Sequence, residues 1–164
     1  MEEILRKNHT VRASVTRPAD TTAYAAGDVL ADSTSAPTVL TFPGVTKGAN
    51  GGAVISQAMS VSNLADATKP DLELWIFDSA PAATNDNAAF APSDAEMLNL
   101  VGVIPFATAS FKVGGGNIVC DVQTANVVVN TKGGVSDLYA VPVVRNIWTA
   151  GSAETLTFTL KVED

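Results

Sequence analysis

Hydrophobic and polar residues alternate along most of this chain, which is the pattern of β-strands that bury one face and expose the other. The alternation is most regular over residues 10–17. Residues 71–78 form the most apolar segment, and their aromatic side chains predict that both faces are buried toward one end. Further strands are predicted at residues 39–42, 54–61, 101–106, 110–113, 117–122, 127–129, 138–148 and 155–162.

Two local signals add a helix and a strand irregularity. Ser93 and Glu96 have the spacing of a capping box, which predicts one short helix over residues 94–100. Pro142 falls inside the strand predicted at residues 138–148. Because proline has no N–H to donate, it favours an edge strand or a β-bulge at that point.

The spacing of these elements predicts the fold class. About eight to ten short strands with one helix are typical of an all-β protein and not of a βαβ fold. We expect an antiparallel β-sandwich, jelly-roll-like, with one short helix and an N-terminal arm. Residues 1–17 are assigned to the arm and first strand, and residues 18–164 to a single β-sandwich domain.

Composition and charge exclude several classes of protein. Hydrophobic residues make up 46% of the chain, charged residues 16%, and the formal net charge is −7. A disordered chain would combine low hydrophobicity with high net charge. An acidic protein is repelled by phosphate backbones, and no apolar run is long enough for a transmembrane helix. The acidic start of the chain is also unlike a signal peptide. We therefore expect neither nucleic acid nor a membrane as a partner.

The N-terminal segment differs in charge from the acidic remainder. It contains the five candidate contacts with a partner, namely Arg6, Lys7, His9, Arg12 and Arg17. A basic arm on an acidic body suits an acidic partner surface. The alternative is that these residues protect an exposed strand edge from aggregation.

Residues for catalysis or cofactor binding are scarce. Cys120 is the single cysteine, so no intramolecular disulfide is possible, and its strand-like setting predicts a small buried hydrophobic residue. His9 is the single histidine and lies in the arm, which disfavours a Cys–His pair. The glycine-rich segments lack the lysine of a phosphate-binding loop. We expect no enzyme activity and no cofactor.

Three weaker patterns leave alternatives open. Three acids in or beside strands could serve glycoside hydrolysis or simply face solvent: Glu73, Asp78 and Asp121. Residues 85–87 offer oxygen ligands for calcium, although a solvated loop is the simpler interpretation. Trp75 and Trp148 could stack on sugars, but their apolar surroundings favour a core or a subunit interface.

Several segments resemble small structural proteins of tailed bacteriophages. They are TRPADTTAYAAGDVL (16–30), LELWIFD (72–78), NDNAAF (85–90), SDAE (93–96) and the segment from LYAV to RN (138–146). Some members of this group are similar to capsid decoration, or cement, proteins of the outer shell. The resemblance implies a β-sandwich or jelly-roll domain that associates as dimers or trimers, and no catalytic motif.

The resemblance and the composition together predict a function. We expect a non-enzymatic virion protein, made in the cytoplasm of the host bacterium, that binds the outer capsid surface and bridges subunits of the major capsid protein. Deleting residues 1–12 is then expected to remove shell binding and leave the fold intact. The alternative is a receptor- or carbohydrate-binding module of a phage tail or fibre, which requires an exposed tryptophan.

Overall fold

The computed structural model describes residues 8–65 and 68–164, and within them the chain forms ten strands, a one-turn α-helix and a short 3-10 turn. The first five strands are β1 (Asn8–Thr16), β2 (Leu40–Phe42), β3 (Gly52–Ser62), β4 (Leu72–Phe77) and β5 (Leu100–Phe106). They are followed by β6 (Phe111–Gly114), β7 (Asn117–Val122), β8 (Val127–Asn130), β9 (Leu138–Val144) and β10 (Thr155–Glu163). The helix α1 (Asp94–Met97) lies between β4 and β5.

The strands form two sheets in which every pair is antiparallel. The first sheet begins with the order β1-β10-β3. The edge of β3 that faces away from β10 pairs with two different strands. β8 pairs with the first part of β3, and β7, with β6 beyond it, pairs with the second part. The second sheet has the order β2-β9-β4-β5. The predicted all-β antiparallel sandwich is therefore confirmed.

The strand order is that of a jelly roll. If the β6–β7 hairpin is set aside, four strands in the order β1-β10-β3-β8 face four in the order β2-β9-β4-β5. Successive strands cross from one sheet to the other, except β4 and β5, which are neighbours in the second sheet. Two four-stranded sheets wound in this way define the jelly roll. The hairpin is an insertion between β5 and β8 that widens the first sheet.

One hydrophobic core fills the space between the sheets. The alternating pattern turns every second side chain inward, and fully buried members include Phe42, Ile55, Leu74, Phe106 and Phe158. Phe106 of the second sheet contacts Phe158 of the first, with ring centroids 5.7 Å apart. Burial of these aromatic and branched side chains is the main stabilising contribution to the fold.

A second, smaller core lies on the outer side of the second sheet. There the segment 27–31 runs along β9, and its backbone bonds to Pro142 and Val144. Val29 and Ala31 of this segment and Phe90 of the loop before α1 pack in one cluster with Phe77, so residues at the end of β4 are apolar on both faces, as predicted from the sequence. The buried members are Val29, Ala31, Phe77, Val141 and Val143.

Two local predictions need correction. The helix ends at Met97 instead of residue 100, because Leu100 already begins β5; its capping box at Ser93 is present as predicted. Pro142 is neither in an edge strand nor at a bulge, since β9 lies between β2 and β4 and its register with β4 is unbroken there. The backbone N and C=O of Pro142 face away from β4, and the carbonyl accepts from the Leu30 N–H (3.0 Å). The N–H that proline lacks would therefore not have bonded to β4.

In the described part of the chain, no helix is both long and apolar enough to cross a membrane.

Candidate functional site

The five basic candidates for partner contacts fall into different environments. Arg6 and Lys7 lie outside the described residues. Arg12 is exposed on the outward side of β1. His9 is half-buried: its Nε2 lies 3.2 Å from the carbonyl oxygen of Gly44 and its Nδ1 lies 3.9 Å from a carboxylate oxygen of Asp164. Arg17 alone lies inside the fold.

The side chain of Arg17 is completely buried, which removes it from any contact surface. Its guanidinium donates to a carboxylate oxygen of Asp20 (2.8 Å) and to the carbonyl of Ala150 (3.2 Å). It also lies over the ring of Tyr24, 5.0 Å from the centroid. A buried cation is stable only when it is paired and hydrogen-bonded in this way. Arg17 is therefore a structural residue at the end of β1.

Asp86 completes this network from the loop before α1. Its carboxylate accepts from the Tyr24 hydroxyl (2.7 Å) and from the Ala31 N–H (2.9 Å), and its second oxygen lies 3.8 Å from the Arg17 guanidinium. Burial raises the pKa of Asp86 above its ordinary value. The prediction of a solvated loop is thus wrong at this residue. No cluster of three or more metal-ligating side chains occurs within residues 8–65 and 68–164.

Both tryptophans take part in packing. Trp148 is fully buried and stacked on Tyr24, with ring centroids 5.5 Å apart, which confirms its predicted core position. Trp75 is half-buried and meets the ring of Phe90 edge-on at 5.2 Å. The guanidinium carbon of Arg145 lies 5.7 Å from the ring centroid of Trp75. The indole N–H of Trp75 donates to the carboxylate of Glu73. Neither ring is arranged as an open platform for a sugar.

The three candidate acids do not form a catalytic pair. Glu73 is bonded to Arg145 (2.6 Å and 2.7 Å), and Asp78 is paired with Lys132 (2.7 Å). Five residues of extended chain separate these two acids by about 16 Å. Asp121 lies on β7 in the other sheet. Glycosidases require two carboxyl groups within about 5–10 Å of each other, and this arrangement does not provide them.

Cys120 is fully buried in β7, as predicted. Burial raises the pKa of its thiol to about 11. His9 is on β1, and two strands, β10 and β3, separate β1 from β7. At about 4.8 Å per strand, the two side chains lie too far apart for a nucleophile–base pair.

Part of the outward side of the first sheet carries few charges. Across β1, β10, β3 and β7, pairing aligns two rows of side chains: Arg12, Thr159, Met59, Asp121, and Ser14, Thr157, Val61, Val119. We name these eight residues, with Thr16 and Thr155, the hydroxyl face. Hydroxyl pairs link β1 to β10 at Ser14–Thr157 and at Thr16–Thr155, each at 2.8 Å. Alternation predicted that each strand has a polar side, but only the register shows that these sides form one surface.

Charge lies at the borders of the hydroxyl face. Arg12 lies at the β1 border and Asp121 at the β7 border, with Met59 and the buried Thr159 between them, and Lys161 on β10 and Lys112 on β6 lie in the adjoining positions. A neutral centre with charges at the rim is the usual composition of a protein–protein interface. Arg12 is the one sequence-predicted candidate among the described residues that is exposed on this surface.

Comparisons with known proteins give only distant likenesses to solved structures. No protein-family model matches the chain, and no curated protein matches it. Among solved structures, it is similar to a chain of the capsid of Ralstonia phage GP4, with 17% identity, 96% of this chain and 84% of that chain covered, and a TM-score of 0.45. It is also similar to a chain of the acid-stable capsid of Helicobacter pylori bacteriophage KHP30, with 8% identity, coverages of 98% and 94%, and a TM-score of 0.37.

A third similar structure is the VP2 subviral particle of infectious bursal disease virus, with 9% identity, 98% of this chain and 33% of that chain covered, and a TM-score of 0.36. All three TM-scores lie below 0.5 and all three identities below 25%. The strand order of this chain, and not the likeness, therefore defines the jelly roll.

Proposed function

We propose that this chain is a non-enzymatic structural protein of a phage virion that binds the outer capsid surface as a homo-oligomer and stabilises the shell by bridging subunits of the major capsid protein. The observation that carries the proposal is the hydroxyl face, which spans four strands and has an uncharged centre. Such a surface loses little hydration energy on contact with another protein, because few charges have to be desolvated.

The internal chemistry of the chain is consistent with a structural role. The described charged residues that are most buried serve the fold. The Glu154 carboxylate accepts from the Ser62 hydroxyl and the Gly151 N–H, Arg17 and Asp86 share one network, and Asp78 pairs with Lys132. The resemblance of five sequence segments to small phage structural proteins points in the same direction. A jelly roll by itself also occurs in lectins and cupins, so the fold alone does not carry the proposal.

The first test is quantitative mass spectrometry of purified virions, which measures the ratio of this chain to the major shell protein. A ratio of one, or a simple fraction of one, is expected for a symmetry-matched shell component. A ratio of a few per hundred would instead indicate a tail or fibre protein. Complete absence from virions would overturn the proposal.

A second test identifies the surface. Thr157 lies near the centre of the hydroxyl face, between Ser14 and Val61. Thr157→Arg places an unpaired cation in the proposed interface and should weaken binding to purified shells at least about tenfold, the effect of about 1.4 kcal/mol. Thr149→Arg adds the same charge at an exposed site outside this face and should bind like the wild type. Equal binding by both variants would exclude the hydroxyl face as the contact.

A further inference from the structure

A cavity of about 260 Å³ lies at the open side of the sandwich, where β1 and β2 are the edge strands of the two sheets. Near one end the edges are close, since His9 contacts the carbonyl of Gly44. Farther along β1 they separate and leave the cavity, which we name the edge cavity. Its lining is about equally polar and apolar, and the aliphatic members include Ala13, Val15, Leu30, Leu40, Ala83 and Pro142.

The walls of the edge cavity also present strand edges. In the described residues, β1 pairs only with β10 and β2 only with β9. The backbone N–H and C=O groups on the other side of each strand therefore have no strand partner. Backbone groups of this kind are satisfied by water or by an added extended segment, as in β-augmentation. The cavity thus suits an extended peptide with apolar side chains.

We propose that the edge cavity is occupied by residues 1–7 of a second copy of this chain. That segment, MEEILRK, has one apolar pair, Ile4–Leu5, with two acids before it and two cations, Arg6 and Lys7, after it. A cavity of about 150 Å³ holds a benzene molecule, so the edge cavity has room for aliphatic side chains of this size. Asp32 at its rim is exposed and can face the cations, and its carboxylate also accepts from the N–H and the hydroxyl of Thr38. The inference rests on the homo-oligomer of the proposed function but not on shell binding.

The occupant must come from another copy because of the length of the segment. The cavity contacts β1 at residues 13–15, and residues 1–7 join the strand at Asn8. To run back along β1, the segment needs a turn of at least two residues. A segment that ran back in this way would bring Ile4 and Leu5 no farther than the first two residues of β1, about 13 Å or more from Ala13 at 3.3 Å per residue. The same apolar pair reaches the cavity of a neighbour without this restriction.

The decisive experiment traps the contact between two purified, differently tagged copies in the absence of shells. Leu5→Cys in one copy and Ala83→Cys in the other should form a disulfide-linked, mixed-tag dimer under mild oxidation, because Ala83 is exposed and lines the cavity. Lys112→Cys is the matched control: it is exposed on β6, at the opposite side of the first sheet from β1. Cys120 is buried and stays unchanged in all copies.

Three outcomes would overturn the inference. They are no mixed dimer with Ala83→Cys, an equal yield with Lys112→Cys, or an intramolecular disulfide in one chain that carries both Leu5→Cys and Ala83→Cys. An intramolecular disulfide would show that residues 1–7 occupy the edge cavity of their own chain. Because no shell is present, a mixed dimer that forms while wild-type protein fails to bind shells would refute the proposed function alone.

A blocking variant gives an independent measurement. Ala83→Trp fills the mouth of the edge cavity, whereas Ala82→Trp adds the same side chain at the neighbouring exposed residue, which does not line it. Light scattering should show loss of the oligomer for Ala83→Trp and retention for Ala82→Trp, with both variants folded by circular dichroism. An unchanged mass for folded Ala83→Trp would contradict the inference.

Discussion

Buried charge at the end of β1 links residues that are far apart in sequence. Arg17, Tyr24 and Asp86 form one network in which Asp86 also bonds to the Ala31 N–H. The network attaches the loop that contains Asp86 to the chain that follows β1. Removing one member leaves the others buried without their partner, which costs more than the interaction itself contributes.

Asp86→Ala should therefore lower the free energy of unfolding by about 3 kcal/mol. Asp86→Asn keeps an oxygen that accepts from Tyr24 and Ala31, and burial already opposes the charge at this position, so it should cost only about 1 kcal/mol. The measurement is urea unfolding at neutral pH. Asp121→Ala, at an exposed acid, should stay within about 0.5 kcal/mol of the wild type. Equal effects of Asp86→Ala and Asp121→Ala would show that the network contributes nothing.

Arg17 shows what the sequence alone does not reveal at this scale. Its place after an alternating strand and in a basic segment predicts an exposed side chain, and it is buried. The reason is that Asp86, 69 residues later, reaches it only through the fold. By contrast, burial of Cys120 and Trp148 was predictable because each lies in an apolar local context. Local pattern predicts the burial of apolar residues, whereas burial of a charge depends on a distant partner.

At the scale of elements, the two sheets approach each other closely where β5 passes β8. A Cβ atom added to Gly102 would lie 2.6 Å from Cγ1 of Val127. Gly102→Ala should therefore lower the free energy of unfolding by about 1–3 kcal/mol through overpacking. Gly116→Ala, with nothing within 4 Å of the added atom, should stay within about 0.5 kcal/mol. Chemical denaturation of both variants measures this difference. Equal free energies of unfolding for Gly102→Ala and Gly116→Ala would show that the added methyl group causes no overpacking between β5 and β8.

The cap of α1 predicts a dependence on pH. The Glu96 carboxylate accepts from the Ser93 hydroxyl (2.6 Å), the Ala82 N–H (2.5 Å) and the Ser93 N–H (2.7 Å), and these bonds lower the pKa of Glu96 to about 2. A carboxylate with a lowered pKa contributes stability above its unfolded pKa, near 4.5, and that contribution is lost as the pH falls toward 2. Glu96→Gln removes this titration.

Wild-type protein should therefore be more stable than Glu96→Gln at neutral pH, and the difference should shrink between about pH 4.5 and pH 2. Urea unfolding across this range is the measurement. Asp94→Asn removes an exposed acid from the same helix and should follow the wild-type profile. A difference between wild type and Glu96→Gln that does not change with pH would contradict the assigned bonds.

The elements themselves were largely predictable, but their arrangement was not. Alternation located β1, β3, β4 and β10 to within a few residues, since one-sided burial is a local property. Nothing local distinguishes the β6–β7 hairpin, an insertion, from the strands of the jelly roll. The hydroxyl face and the edge cavity likewise require the strand order, because both combine residues from opposite ends of the chain.

At the scale of the whole molecule, the N-terminal segment has two parts with different roles. Residues 8–16 form β1, which covers one edge of β10 and contributes Val11, Ala13 and Val15 to the core. Deleting residues 1–12 would remove the first five residues of this nine-residue strand. The expectation that this deletion leaves the fold intact must therefore be replaced by one with a different boundary.

Deletion of residues 1–7 stops before β1 and should leave the melting temperature within a few degrees of the wild type, because no described core residue is lost. Deletion of residues 1–12 removes Val11 and exposes part of β10, so a loss of several kcal/mol is expected, a large share of the roughly 5–15 kcal/mol of a typical domain. Thermal unfolding followed by circular dichroism compares the two.

If both deletions melt like the wild type, β1 is dispensable and the sandwich is held by its remaining strands. If only the shorter deletion stays folded, its loss of oligomer or of shell binding can be assigned to residues 1–7 and not to unfolding.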